Sequence, residues 1–151
     1  VGETLVGINT ALPNLIVSEA IEAGQIPELV GYEALKREVK YGKNSRIDIL
    51  LSDPIKGQCY VEVKNTTMRR DLAKGPVEFP DAVTSRGTNR AVMFYLVQRE
   101  DSESFTTAGD IDPTYAETLQ KAMQAGVEAI CYTCRLSPTE ITVDHAIPIR
   151  L

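Results

Sequence analysis

With 151 residues, a net charge of −5, and apolar and charged fractions of 43% and 25%, the chain has the composition of one ordinary globular domain able to bury a core. No apolar run is long enough to cross a bilayer, which argues against a membrane partner, and Val1-Gly2-Glu3-Thr4 does not begin a signal peptide. Three cysteines cannot all pair, so no disulfide framework is expected and a reducing cytoplasm is the default compartment.

The first predicted element is a helix. Leu15, Ile16, Ala20 and Ile21 form its apolar stripe, Asn14 is placed to cap it, Gly24 to end it, and Glu19 and Glu22 lie within its span. A turn follows around residues 27–31. Leu35, Arg37, Val39 and Tyr41 then alternate with Lys36, Glu38 and Lys40, the pattern of a half-exposed strand. Two more strands are expected at about 45–52 and 59–67, joined through a hairpin loop at Asp53-Pro54-Ile55-Lys56-Gly57-Gln58. Residues 91–98 are almost continuously apolar, as in a strand buried on both faces. Pro113 opens a second helix with Tyr115, Ala116, Leu119, Ala122 and Met123 on one side and Gly126 as its stop. Strands at 127–135 and 141–146 complete the order. It predicts a mixed α/β sheet with helices on its faces.

The hairpin carries the chemistry. In Tyr60-Val61-Glu62-Val63-Lys64-Asn65, Glu62 and Lys64 project from one face and Val61 and Val63 from the other. The partner strand, Ser45-Arg46-Ile47-Asp48, can bring Asp48 alongside Glu62. Two carboxylates suit Mg²⁺ or Mn²⁺, hard ions that bind through one or two carboxylates and keep several waters. The backbone carbonyl of Val63 is a candidate further ligand, and Lys64 can orient an attacking water or stabilise a charged transition state. This is the Asp…Glu-x-Lys pattern of the restriction-endonuclease-like (PD-(D/E)XK) nucleases. Taken alone the triplet is short, and its bland reading is an exposed, salt-bridged strand face.

Charge is unevenly spread. Residues 36–90 hold 12 Lys/Arg against 7 Asp/Glu, and the rest of the chain 4 against 14. The basic segment is the one that carries the triplet, as expected if one face meets phosphates. Solvated edge strands that discourage aggregation are the alternative.

Several stretches resemble the sugar fermentation stimulation protein A family. They are Val6-Gly7-Ile8-Asn9-Thr10-Ala11-Leu12-Pro13-Asn14, Arg37-Glu38-Val39-Lys40-Tyr41-Gly42, the two segments bearing Asp48 and Glu62/Lys64, Phe79-Pro80-Asp81-Ala82-Val83-Thr84 with Arg86-Gly87, and Phe94-Tyr95-Leu96-Val97-Gln98-Arg99. Asp112-Pro113 and Tyr115-Ala116 extend the likeness toward the tail. The resemblance implies a DNA-binding protein linked to regulation of sugar (maltose) metabolism. It also implies a nuclease-like α/β domain over 1–151, with Asp48, Glu62 and Lys64 in the matching positions. Two departures stand out. The family begins with a small barrel of the oligonucleotide-binding type, and this chain, which has no initiator Met, begins where that barrel should end. Residues 1–12 are then its last part or a linker. The family also has an extra helical stretch between Gly87 and Asn89, where only Thr88 stands here, so residues are expected to be missing at 87–89.

Further candidates at the site are Glu19, as an extra helix acid, Glu38, Asp81 and Gln98. Phe79-Pro80-Asp81 with Thr84 and Arg86 reads either as a loop beside the site or as a structural turn. Gln98 is expected to satisfy backbone groups at the sheet edge. Candidate nucleic-acid contacts are Lys36, Arg37, Lys40, Arg46, Arg69, Arg70 and Arg86, with DNA as the expected partner, RNA as the second, and a homodimer left open. Cys131 and Cys134 have metal-like spacing but point to opposite faces of a strand. His145, the single histidine, has no nucleophile motif beside it, and no Walker loop is present. Two functions follow: a Mg²⁺- or Mn²⁺-dependent phosphodiesterase, or a DNA-binding regulator that uses the same fold without catalysis. A protein-interaction module with an incidental acidic cluster is a distant third.

Overall fold

Beta-branched and aromatic residues with period-two alternation build a six-stranded sheet in the computed structural model, which describes residues 13–41, 45–66, 89–105 and 113–150. The strands are β1 (Ala34–Tyr41), β2 (Ser45–Asp53), β3 (Gly57–Thr66), β4 (Arg90–Val97), β5 (Glu128–Leu136) and β6 (Ile141–Ala146), lying side by side in that order. β1–β2, β2–β3 and β5–β6 are antiparallel, while β3–β4 and β4–β5 are parallel. Helix α1 (Pro13–Glu22) precedes the sheet, and α2 (Pro113–Gln124) lies between β4 and β5. The mixed α/β architecture read from the sequence is therefore present.

Alternation along the strands divides the core in two. Ile49, Leu51, Val61, Val63, Val92, Phe94 and Leu96 pack with Ile16, Val17, Ala20 and Ile21 of α1. Ala91, Met93, Tyr95 and Val97 pack on the other face with Tyr115 and Leu119 of α2. β4 is thus buried on both sides, which is why its sequence shows no polar alternation. Each large apolar side chain taken from water on these faces contributes roughly 1.5–3 kcal/mol.

Local signals set most of the boundaries. Gly24 and Gly126 have φ of 72° and 109°, and the N–H groups of Gln25 and Val127 return to the carbonyls of Ala20 and Ala122, closing both helices as expected. The hairpin loop is tighter than predicted, because β2 runs on to Asp53 and β3 starts at Gly57. Asp53 Oδ1 accepts from the N–H groups of Ile55 and Lys56, each at 2.9 Å. These bonds hold the Asp53 carboxyl below its ordinary value. β6 has the expected bounds, and the ends of the other strands lie within two residues of expectation. Asn14 is not the helix cap, since α1 already includes Pro13 and the Asn14 amide is used elsewhere. Residues 1–12 and 87–88 lie outside the described residues, as do Phe79, Asp81, Thr84, Arg69, Arg70 and Arg86.

Candidate functional site

Three elements meet at one end of the sheet. β2 and β3 pair from Ile49↔Val61 to Asp53↔Gly57. Continuing that register would set Ile47 against Val63, but the Val63 N–H donates to Asp48 Oδ2 at 2.8 Å. A side chain has taken the place of a backbone partner, and the strands part at this level. In a strand the N–H and C=O of one residue point to the same edge. The Val63 carbonyl therefore faces the same opening between β2 and β3. From α1, Asn14 Nδ2 donates to Asp48 Oδ1 at 3.1 Å.

Glu62 and Lys64 lie on the α2 face. Their register partners on β4 are Met93 and Tyr95, both fully buried. Lys64 Nζ is 3.7 Å from Glu62 Oε1, and each side chain keeps 24% of its exposure. Burial pushes the Glu62 carboxyl up to about 7. The Asp48 charge and a hydrogen bond with its carboxyl act in the same direction, and Lys64 opposes them. One lysine does not neutralise two adjacent acids, and the surplus negative charge is what a cation would relieve. Among the described residues no three His, Cys, Asp or Glu side chains converge as a metal cage.

The other candidates separate. Glu38 lies level with Asp48, between the register pairs Arg37↔Ile49 and Val39↔Ile47. It is exposed, and its φ of 54° is left-handed, a conformation that costs a non-glycine residue about 1–2 kcal/mol. Lys36 pairs with Leu50 and Lys40 with Arg46, so these cations share the face of Asp48 and Glu62. Arg37 pairs with Ile49 and therefore belongs to the α1 face, away from them. Glu19 is exposed and lines a cleft with residues 137–141, so Asn14 rather than Glu19 is the α1 side chain that reaches Asp48. Gln98 is fully buried and donates to Asn65 Oδ1 at 2.6 Å, not to backbone as expected, and its Oε1 has no partner among the described residues. Cys131 and Cys134 are buried in opposite cores as thiols. His145 Nδ1 is 2.8 Å from Asp144 Oδ2 and 3.2 Å from Thr133 Oγ1, on the far side of the sheet.

Sequence reasoning missed the role of Asn14. Its only local signal, a polar residue at a helix start, points to capping. It also missed the split between β2 and β3, since strand pairing says nothing of where pairing stops.

The fold and this site define an α/β protein with a carboxylate pair and a lysine at the opened end of a mixed sheet. Residues 11–140 match the family model described as "Sugar fermentation stimulation protein RE domain". A sugar fermentation stimulation protein homolog from Paramagnetospirillum magneticum is 57% identical over 91% of this chain and 62% of its own length. A homolog from Rhodospirillum rubrum is 48% identical over 99% of the chain and 70% of its own length. The chain belongs to the sugar fermentation stimulation protein family, and spans roughly two thirds of the length of these relatives. Its fold matches that of Pyrococcus furiosus SfsA, solved in complex with Ca²⁺, with a TM-score of 0.80 at 24% identity over 99% of this chain and 69% of the other. Among the described residues no helix is long and apolar enough to cross a membrane.

Proposed function

We propose that the chain is a restriction-endonuclease-like domain with a divalent-metal-dependent phosphodiesterase site, acting on DNA, with RNA as the second candidate substrate. The observation that carries the reading is the meeting of Asp48, Glu62 and Lys64 where β2 and β3 part. The donor set fits a hard divalent ion: two carboxylates in contact, a backbone carbonyl directed at the same opening, and solvent access for water ligands. Asp48, Glu62 and the Val63 carbonyl would hold it. That the Pyrococcus relative was solved with Ca²⁺ supports the same class of ion. A bound Mg²⁺ or Mn²⁺ supplies Lewis acidity against a phosphoryl oxygen and lowers the pKa of a water in its shell. Lys64 directs the attacking water and stabilises charge on the phosphoryl group. Glu62, its carboxyl pushed up to about 7 by burial and the Asp48 charge, would hold the ion as the carboxylate, so metal binding releases its proton. Lys36, Lys40 and Arg46 hold the phosphate backbone on the same face.

The second reading, a DNA-binding regulator without catalysis, draws on the opposed Lys40 and Arg46. Like charges directly across a ladder are unfavourable without a counter-anion. Cleavage of labelled single- and double-stranded DNA and RNA, with Mg²⁺ or Mn²⁺, separates the two. Cutting that Asp48→Ala and Lys64→Ala both abolish supports the enzyme. Salt-sensitive DNA binding without cutting under either metal supports the regulator and removes the enzyme.

A further inference from the structure

We infer that Asn14 is a positioning residue for Asp48, fixing the carboxylate that receives the metal and tying α1 to the site. The inference rests on the metal reading above. Both Asp48 oxygens are engaged, Oδ2 by the Val63 N–H and Oδ1 by the Asn14 amide. A carboxylate has about four lone-pair sites, so two donors fix its plane and leave room for a cation.

The chemistry of Asn14 suits that task. Its amide is uncharged, so it orients Asp48 without neutralising it. A lysine or arginine in its place would compete with the cation for the same oxygens. Asn14 is itself held. The buried Ser18 hydroxyl donates to the Asn14 carbonyl at 2.6 Å, one helical turn on, and Ile16, Val17, Ala20 and Ile21 anchor that turn to the sheet. A chain of contacts therefore runs from the α1 core through Asn14 to Asp48 and on to the backbone of β3. Helix capping does not account for the amide, because α1 begins before Asn14.

Hydrogen-bond partners of this type typically set metal affinity by 10- to 100-fold. The test is calorimetric titration of the chain with Mn²⁺, alongside its metal-free Tm, for wild type, Asn14→Ala, Asn14→Gln and Asp48→Ala. Asn14→Ala is expected to weaken Mn²⁺ binding by about 10- to 100-fold while moving the metal-free Tm by no more than about 4 °C. Asn14→Gln, which keeps the donor on a longer arm, is expected to fall between Asn14→Ala and wild type. Wild-type affinity in Asn14→Ala, beside loss of binding in Asp48→Ala, overturns the inference alone. So does a loss of affinity that follows a fall in metal-free Tm in both Asn14 variants. A wild-type chain without Asp48-dependent Mn²⁺ binding overturns the metal reading and the inference with it.

Discussion

Two groups of charged side chains occupy opposite ends of the central strands, and they are built on opposite principles. At the start of β4, Arg90 forms a two-pronged pair with Glu128 at 2.7 and 2.8 Å, and also donates to the Glu28 carbonyl and the Tyr32 hydroxyl. Its charge is satisfied, and the bond to Glu128 pushes the guanidinium still higher. Toward the far end of β3, two acids share one lysine, and burial with like charge pushes Glu62 up to about 7. One cluster is a structural fastening. The other holds unrelieved charge in a half-open position, as expected of groups that await a ligand. The lesson is that the count of ion pairs says little, and the balance within each says more.

Four experiments break or sharpen this contrast. The largest expected effect is on cleavage: Lys64→Ala should lower the rate by about 100- to 1,000-fold with little change in unfolding midpoint, measured by single-turnover assays beside urea melts. At the other end, Arg90→Ala should lower stability by about 1–3 kcal/mol and leave cleavage per folded molecule intact. Equal damage to both properties in both variants would dissolve the distinction. Next comes salt: removing Lys40 or Arg46 should reduce the slope of log affinity for DNA against log salt by about one, and removing Arg37, on the other face, should not.

The smallest effect is in the pH dependence of stability. The folded Glu62 carboxyl has a raised pKa, so between its ordinary value of 4.5 and about 7 the native state binds more protons than the unfolded chain. Its contribution to stability is fully present below 4.5 and is lost as pH rises through about 7. Glu62→Gln should therefore be the more stable protein at pH 8 in the presence of chelator, with its advantage shrinking toward pH 5. Denaturant titrations at the two pH values measure it, and an advantage that grows toward pH 5 would refute the sign.

The strands, both helices and the sharing of one face by Glu62 and Lys64 were legible because each depends on spacing within a short segment. Pro113 and Gly126 bracket α2, and Asp53 through Gly57 mark the hairpin. What was not legible depends on residues distant in the chain. The partner of Asn14 lies on β2, and that of Arg90 on β5. The bridge between Phe105 and Ile149 likewise has no local signature. The face of Arg37 was not legible for another reason: a half-exposed edge strand presents cations on both faces, and only the register with Ile49 sets Arg37 on the α1 face.

The hairpin of β2 and β3 has a kinetic consequence. Asp48, Glu62 and Lys64 all sit on one local antiparallel unit, while β4 and β5 join by parallel pairing through longer connections. Contacts close in sequence form at low loop-closure cost, and parallel pairing comes late and slowly. Asp48 and Glu62 should thus be brought together early, before Met93 and Tyr95 arrive beside Glu62 and Lys64 and reduce their exposure. The repulsion between the acids is met while solvent still screens it, and its full strength develops only as the last strands dock. A divalent ion present during refolding should therefore quicken the late step more than the early one.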